Sequence, residues 1–526
     1  MSEIQKQDLT SMNIAEEQLR KLKELFPEAF TEGLSVDWDK LRLTLGQSID
    51  VGKERYGMNW PGKADCFKTI QQPSIATLIP ARDESVDFDK TENLFIEGDN
   101  LEVLKLLQKS YLGKIKFMYF DPPYNTGKDF IYPDNYSESL DTYLEYTGQV
   151  DADGKKFGTN TDTDGRFHSK WLNMMYPRLF LAKNLLSADG VIFISISDAE
   201  VDNLKKMCSE IFGEENFIAQ LAWANKEGGG GSDSKYFRIK HEYILCYSKS
   251  KESAFINGVD ISNEDRYSMQ DEYFEKRGPY YLQKLNQASI QYSKSLDYPI
   301  LSPDGDELLP AQGDKRACWR WGREKVDWGL STGFIEFKKD RDGIWQVYSK
   351  QYLYVDNEDN PIERKNRPLG IIEEFSSTQG SKQIEQLIGP KVFSYPKPVD
   401  LISYLISLIP FSDNDYILDI FSGSGTTAHS VLESNLKDKI NRRFICVQLP
   451  EQVDEKSEAF KVGFKTISEI SRTRIKKAAE LVKNELVTTS KFAPIASKCF
   501  LPHFILSASE LRSFSKFLVL FVSLTK

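Results

Sequence analysis

Two short stretches of this chain carry residues that can do chemistry, and they lie far apart in the sequence. The first is Asp121-Pro122-Pro123-Tyr124, which closes the run Ile115-Lys-Phe-Met-Tyr-Phe120. That run is apolar and aromatic, so it reads as a strand buried on both faces. Two consecutive prolines remove two backbone donors and fix φ, so the strand stops there and the turn is stiff. What is left at the strand's carboxyl end is an acid, free backbone carbonyls and an aromatic ring. In open α/β sheets that edge is where ligands bind. The second stretch is Asp419-Ile-Phe421-Ser-Gly423-Ser-Gly425-Thr426, which joins a strand at 416–421 to a helix. Its closely spaced glycines let backbone approach a ligand that a Cβ would hold away. Either motif alone is weak. Together, on strands that a parallel sheet can set side by side, they describe one turn for a nucleoside cofactor and one for the group that is modified.

The surrounding elements have the pattern such a sheet needs. Residues 93–98 read as a strand, Asp99 as an N-cap, and Leu101, Leu104 and Leu107 follow at helical spacing. A helix is predicted at about 170–186, a β-branched strand at 190–197, and a helix capped by Asp198 to about 212. After the second turn come a helix to about 436, a strand at 443–449 that includes Gln448, and a long charged helix at about 455–485. Strand alternating with helix predicts an α/β fold with a doubly wound, mostly parallel sheet. The acid-rich stretch at about 128–165 lacks apolar periodicity and reads as a functional or disordered loop.

Composition narrows the function classes. The 526 residues leave room for about three domains. With 40% hydrophobic and 28% charged residues, the chain has an ordinary globular composition. Six scattered cysteines without a C-x-x-C pair, and four dispersed histidines, argue against a disulfide framework and a Cys- or His-built metal site. A cytoplasmic protein with no membrane partner is expected, since neither a secretion signal nor an apolar run of the roughly 18 residues a membrane helix needs is found. No G-x-x-x-x-G-K-[ST] occurs, so no P-loop ATP site is expected. The net charge of −10 argues against wholesale polyanion binding, yet steering depends on local patches. Such patches fall at 223–388, where the texture turns rich in Tyr and Trp. They are Lys235, Arg238 and Lys240; Arg316, Trp319, Arg320 and Arg323; and Arg364, Lys365 and Arg367. Arginines interleaved with aromatics suit contact with phosphates and bases. A solvated face over a small mixed domain is the plainer reading.

The order of motifs, Asp121-Pro-Pro-Tyr124 before Phe421-x-Gly423-x-Gly425, resembles that of the S-adenosyl-L-methionine-dependent methyltransferases of exocyclic DNA amines, in the permuted β-class arrangement. Segments 93–133, 171–187, 241–250, 395–407 and 418–430 resemble, more narrowly, the modification subunit of type III restriction-modification systems, across most of residues 10 to 480. The resemblance implies a methyltransferase fold with an inserted mixed α+β target-recognition domain. Its parts would be an N-terminal extension at 1–90, a catalytic half at 91–222, target recognition at 223–388 and a cofactor half at 389–485. The Ser-, Phe- and Leu-rich tail at 486–526 departs from the family's ending, as a shifted reading frame or a replaced tail would. The activity implied is methyl transfer to adenine N6 in duplex DNA after base flipping, with a separate ATP-dependent helicase-nuclease restriction subunit as partner and a homodimer as assembly. An orphan enzyme, a cytosine-N4 enzyme and an inert specificity subunit stay open. By the same resemblance, Asp121 and the Pro122 carbonyl, in the turn that Pro123 completes, would receive the target amine, and Tyr124 would stack on its base. Phe421, Gly423, Gly425 and Thr426 would contact the methionine part of the cofactor, with Asp419 near its amino group and Lys397 close by. Asp99 would meet the cofactor's adenine, and Gln448 or Glu451 its ribose.

Overall fold

The computed structural model describes residues 14–30, 35–46, 57–126, 167–226, 236–261, 264–287, 292–310, 317–496 and 519–525. The chain divides into a large unit, Met1–Asn257 with Leu369–Lys526, and a small one, Gly258–Pro368. The small unit lies inside the 223–388 segment, whose flanks belong to the sheet of the large unit.

That sheet has ten strands. In chain order they are β1 (Thr77–Pro80), β2 (Asn93–Glu97), β3 (Ile115–Phe120), β4 (Leu186–Ile196), β5 (Phe217–Trp223), β6 (Glu242–Ser248), β7 (Ile371–Ile372), β8 (Tyr416–Asp419), β9 (Arg443–Gln448) and β10 (Val519–Thr525). Across the sheet the order is β1-β10-β2-β9-β8-β3-β4-β6-β5-β7. All neighbours from β10 to β4 run parallel. β1 and β6 pair antiparallel with their neighbours, and β7 closes the far edge parallel to β5. The mostly parallel α/β sheet expected from the alternation is present. β10 comes from the segment of unusual composition and lies between β1 and β2.

The helices that position the site are α1 (Asn100–Tyr111), α2 (Phe167–Leu185), α3 (Val201–Phe212), α4 (Val399–Ser407), α5 (Thr426–Asp438) and α6 (Ile467–Ala496). One apolar core joins α1, α2 and α3 to the strands through Leu104, Met118, Trp171, Leu204, Leu418 and Val447, all of them fully buried. Each such side chain stabilises by about 1.5–3 kcal/mol. β3 buries all six of its residues, as an interior parallel strand must, and its Lys116 is buried against Asp189. α3 begins later than the Asp198 cap predicts. Glu200 takes the cap position, and its carboxylate binds Asn203, His168 and Asn125. Most important for the site, β3 and β8 are direct neighbours, with Leu418 opposite Met118. The two turns therefore leave one sheet edge side by side.

In the small unit, Tyr280–Lys284, Trp345–Tyr352 and Ile335–Lys339 form an antiparallel sheet beside a helix at Arg323–Ser331. Tyr280, Leu285, Trp319, Trp321, Phe334 and Tyr352 make its core.

Candidate active site

The turn after β3 is fixed from two sides. Trp171 Nε1 donates to the Pro123 carbonyl at 2.7 Å. Asn125 is buried at φ +59°, a conformation that asparagine tolerates better than most residues, and donates to Glu200. The rigid turn aims Asp121 and Tyr124 at a residue from a distant part of the chain. Lys397 Nζ lies 2.7 and 2.9 Å from the two Asp121 carboxylate oxygens and 2.9 Å from Tyr124 Oη. Tyr124 donates to Glu242 Oε2 at 2.9 Å, and the other Glu242 oxygen accepts from Asn225 Nδ2 at 2.5 Å. Lys397 Nζ also stands 3.8 Å from Glu242 and 4.9 Å from the centre of the Tyr124 ring.

One ammonium is thus held between two carboxylates under an aromatic face. Burial opposes the Lys397 charge, but Asp121 and Glu242 more than offset it and hold the group above the ordinary lysine value. Burial, then the same two acids, push the Tyr124 phenol well up, so it stays neutral. Beside Tyr124 and Glu242 opens a cavity of about 480 Å³, walled further by Asp198, Lys226, Ile239 and His241. Cavities of this size take small ligands.

Lys397, expected among the cofactor contacts, lies against the Asp121 carboxylate. It precedes α4, whose N-cap is Pro398. The 396–398 segment reaches this place because residue 380 is glycine: a Cβ there would stand 2.3 Å from the Pro396 carbonyl oxygen.

The second turn is held as tightly. Asp419 is buried; it accepts from Phe421 N at 2.9 Å and from Thr427 Oγ1 at 2.6 Å, and burial raises its carboxyl to about 7. Gly423 and Gly425 have φ of +51° and +81°, where a Cβ is strained. Gln448 ties the turn to the end of β9, accepting from Gly423 N at 2.7 Å and donating to the Leu449 carbonyl at 3.2 Å. Arg474 on α6 donates to Ser424 Oγ and Thr426 Oγ1, both at 2.7 Å, so Thr426 is turned towards α6. Phe421 packs edge-on against Phe120 with ring centres 6.0 Å apart, which joins the two turns directly. Asp99 caps α1, accepting from Leu101 N and Glu102 N at 3.0 Å each, and the next residue, Asn100, donates to the Ile420 carbonyl at 2.9 Å. Past the end of β9, Glu451 is partly buried, and burial alone raises its carboxyl.

Several of these residues escaped the sequence reading. Glu242 opens β6 within the 241–250 segment and Asn225 follows β5, and the type of neither residue marks it for chemistry. Gly380 sits inside a helix, where glycine reads only as a weak spot. Arg474 does have a signal: it lies four residues from both Ile470 and Ala478, which are buried, so helical spacing turns it inward.

The expected basic residues divide by burial. Trp319 is in the core of the small unit, its Nε1 bound to the Tyr298 carbonyl at 2.7 Å. Arg364 is tied to the Tyr352 and Val355 carbonyls at 2.5 and 2.8 Å. Arg320 is partly buried, with its main-chain N bound to the Leu285 carbonyl at 2.9 Å. Arg323, Lys365 and Arg367 are exposed. In the large unit, Arg238 is exposed and Lys240 partly buried, on either side of Ile239 of the cavity wall. Lys235 and Arg316 lie outside the described residues.

A family model described as DNA methylase (N6_N4_Mtase) matches residues 115–458, a span that contains both turns. The EcoPI Mod subunit, a type III restriction-modification enzyme subunit of Escherichia phage P1, is 31% identical over 523 residues, covering 91% of this chain and 76% of that protein. The StyLTI Mod subunit of Salmonella typhimurium is 32% identical over 464 residues, 85% of this chain and 67% of that protein. The EcoP15I Mod subunit of Escherichia coli is 30% identical over 505 residues, 88% of this chain and 75% of that protein.

Proposed function

We propose that this chain, which belongs to the N6/N4 DNA methylase family and within it to the type III Mod subunits, methylates adenine N6 in duplex DNA at a site it recognises itself. The observation that carries the reading is the adjacency of β3 and β8, which sets Asp121-Pro-Pro-Tyr124 beside the glycine turn on one sheet edge. S-adenosyl-L-methionine is the methyl donor and supplies an electrophilic methyl on a sulfonium.

The residues of the second turn fit that donor. At Gly423 a Cβ would meet Phe393 Cζ at 3.4 Å, so the bare backbone leaves room that a side chain would fill. The Phe421–Gly423 backbone would hold the methionine part, with Asp419 beneath it. Glu451, raised by burial alone, suits the ribose hydroxyls, because a hydroxyl pair would satisfy a carboxylate that is otherwise only desolvated. Gln448 serves by shaping the turn, and Asp99 by capping α1 at its rim.

An adenine amine is a poor nucleophile, since its lone pair is delocalised into the ring. Asp121 and the Pro122 carbonyl would accept its two N–H groups and favour a more tetrahedral nitrogen. The positive charge forming on nitrogen then lies beside a carboxylate placed in advance. A base stacked in a duplex cannot reach Asp121, so it must be flipped out, and the cavity beside Tyr124 is the space that receives it. Exposed Arg323, Lys365 and Arg367 of the small unit and Arg238 of the large one supply phosphate contacts. The chain works as a dimer with a restriction subunit that carries helicase and nuclease activity.

Methyl-labelled donor and unmodified DNA, with wild type and Asp121→Ala, test the reading. Labelled N6-methyladenine from wild type alone is expected. N4-methylcytosine alone would overturn the adenine assignment, and equal label from both proteins would overturn the site.

A further inference from the structure

The Lys397 ammonium occupies both oxygens of Asp121, at 2.7 and 2.9 Å. Those oxygens are the acceptors a target amine needs, so ammonium and amine compete for one carboxylate. A second acceptor stands ready. Glu242 lies 3.8 Å from Nζ, on the wall of the cavity, with its carboxylate steadied by Tyr124 and Asn225. We propose that Lys397 guards Asp121 in the free enzyme and passes to Glu242 as the target amine enters, which makes Glu242 and Lys397 positioning residues for the methyl acceptor. The proposal rests on the reading of Asp121 as the amine acceptor.

Geometry allows the exchange at small cost. A shift of about 1 Å brings Nζ into hydrogen-bond range of Glu242. The contact with Tyr124 Oη can persist through it, because that hydroxyl bonds both Lys397 and Glu242. The Tyr124 and Trp223 rings, 4.9 and 5.8 Å from Nζ, offer the cation an aromatic face on the way. The group moves as a cation and does not shed its proton, since the two acids hold its charge.

The charge count supplies the reason for the exchange. Asp121 and Glu242 carry two negative charges and Lys397 one positive, leaving a single negative charge in the cluster. With Lys397 on Asp121, the carboxylate facing the nascent cation is already neutralised. With Lys397 on Glu242, the remaining negative charge sits on Asp121, where the nitrogen becomes positive. A purely structural Lys397 would only tie the 396–398 segment to the turn after β3, and the state of Glu242 would then be indifferent to rate.

Single-turnover methyl transfer by wild type, Glu242→Gln, Lys397→Met and the double variant separates these roles, with 2-aminopurine at the target position reporting base capture and cofactor affinity measured alongside. Glu242→Gln leaves the ammonium no second acceptor, and its rate falls about 10- to 100-fold, the effect of one misdirected charge-assisted hydrogen bond. Its cofactor affinity stays within about twofold, since Glu242 does not touch the glycine turn. Adding Lys397→Met frees Asp121 and restores at least about tenfold of that loss. A double variant as slow as Glu242→Gln, or a Glu242→Gln enzyme as fast as wild type, overturns the proposal. Should Glu242→Gln not fold, Glu242→Asp shortens the acceptor and must show the same rescue. Wild type that moves no label to DNA would defeat the methyltransferase reading itself, a different result from a missing rescue.

Discussion

The carboxyl of Asp419 offers a test in which sign and size both follow from the site. It lies under the glycine turn, and burial raises it from an ordinary value of 3.8 to about 7. In the unfolded chain the same group ionises near its ordinary value. Stability linked to the protonated carboxyl is therefore fully present below about pH 4 and is lost as pH rises through about 7. Over that window the loss amounts to about 4 kcal/mol, at roughly 1.4 kcal/mol for each tenfold change in proton concentration. Asp419→Asn removes the ionisation and keeps the contacts, because the amide oxygen still accepts from Phe421 N and its NH₂ can donate to the Thr427 hydroxyl. Thermal unfolding of both proteins, followed from pH 4.5 to 8, isolates the effect in the difference between the two curves. That difference should be smallest at the acid end and favour Asn by about 5 °C above pH 7, given the unfolding entropy of a unit this large. Asn cannot present a negative charge to a cofactor ammonium, so the gain in stability should come with weaker cofactor binding. A difference that does not change with pH would refute the burial argument. A difference that grows in favour of Asp would show the ionised carboxylate to be held by a cation.

Other positions give sharp expectations. Gly425→Ala places a Cβ 3.2 Å from both the Ser471 carbonyl oxygen and Ile475 Cγ1 at a φ of +81°. Left-handed strain alone costs about 1–2 kcal/mol, so a lowered Tm and weakened cofactor binding, measured by calorimetric titration, are expected. Gly380→Ala would force the 396–398 segment away from its place; overpacking of this kind costs about 1–3 kcal/mol, so a lowered Tm in thermal unfolding is expected while DNA binding by gel shift is kept. Arg323→Ala and Arg367→Ala should weaken DNA binding about equally for all sequences, and each should lower the slope of log affinity against log salt by about 1, read by fluorescence anisotropy. Unchanged slopes would remove those two residues from the interface.

The parts of the fold that sequence made legible are those where a local pattern and a global demand agree. β3 shows an unbroken apolar run because it is covered on both faces, and Pro122-Pro123 marks its end wherever it packs. The glycine turn shows itself because positive φ is affordable to few residues. What stayed hidden depends on partners distant in sequence. Nothing near Lys397 announces Asp121, and nothing near Glu242 announces Tyr124. The Trp319–Trp321 cluster shows a burial that the sequence does not announce. The strand there is only Cys318–Trp319, and the turn that follows brings both rings inward, so aromatics that look interleaved with arginines are core. The edge strands of the main sheet that lie within 223–388 were hidden likewise. β6 and β7 lie within the segment of short alternating texture, yet they belong to the edge of the main sheet, β6 antiparallel between β4 and β5 and β7 parallel to β5.

The two turns also explain each other electrically. The Asp121 charge is one of the influences that raise Asp419, so the acids at the ends of β3 and β8 are close enough to feel one another. On the proposed reading, methyl transfer moves one positive charge from the donor sulfur, on the Asp419 side, to the acceptor nitrogen, on the Asp121 side. A fully ionised Asp419 would favour the charge where it starts and oppose its departure. Burial of that carboxyl, with both oxygens spent on the turn, weakens its pull on the leaving charge. Asp121, by contrast, keeps part of its side chain open to the site. Its pull is limited by Lys397 and not by burial, and an ion pair can be exchanged within a turnover whereas burial cannot. On the proposed reading, a carboxylate shielded by the fold and one shielded by a movable cation together ease the shift of charge towards the acceptor nitrogen in the transition state. On that reading Glu242, 3.8 Å from Nζ, is the group that receives the cation.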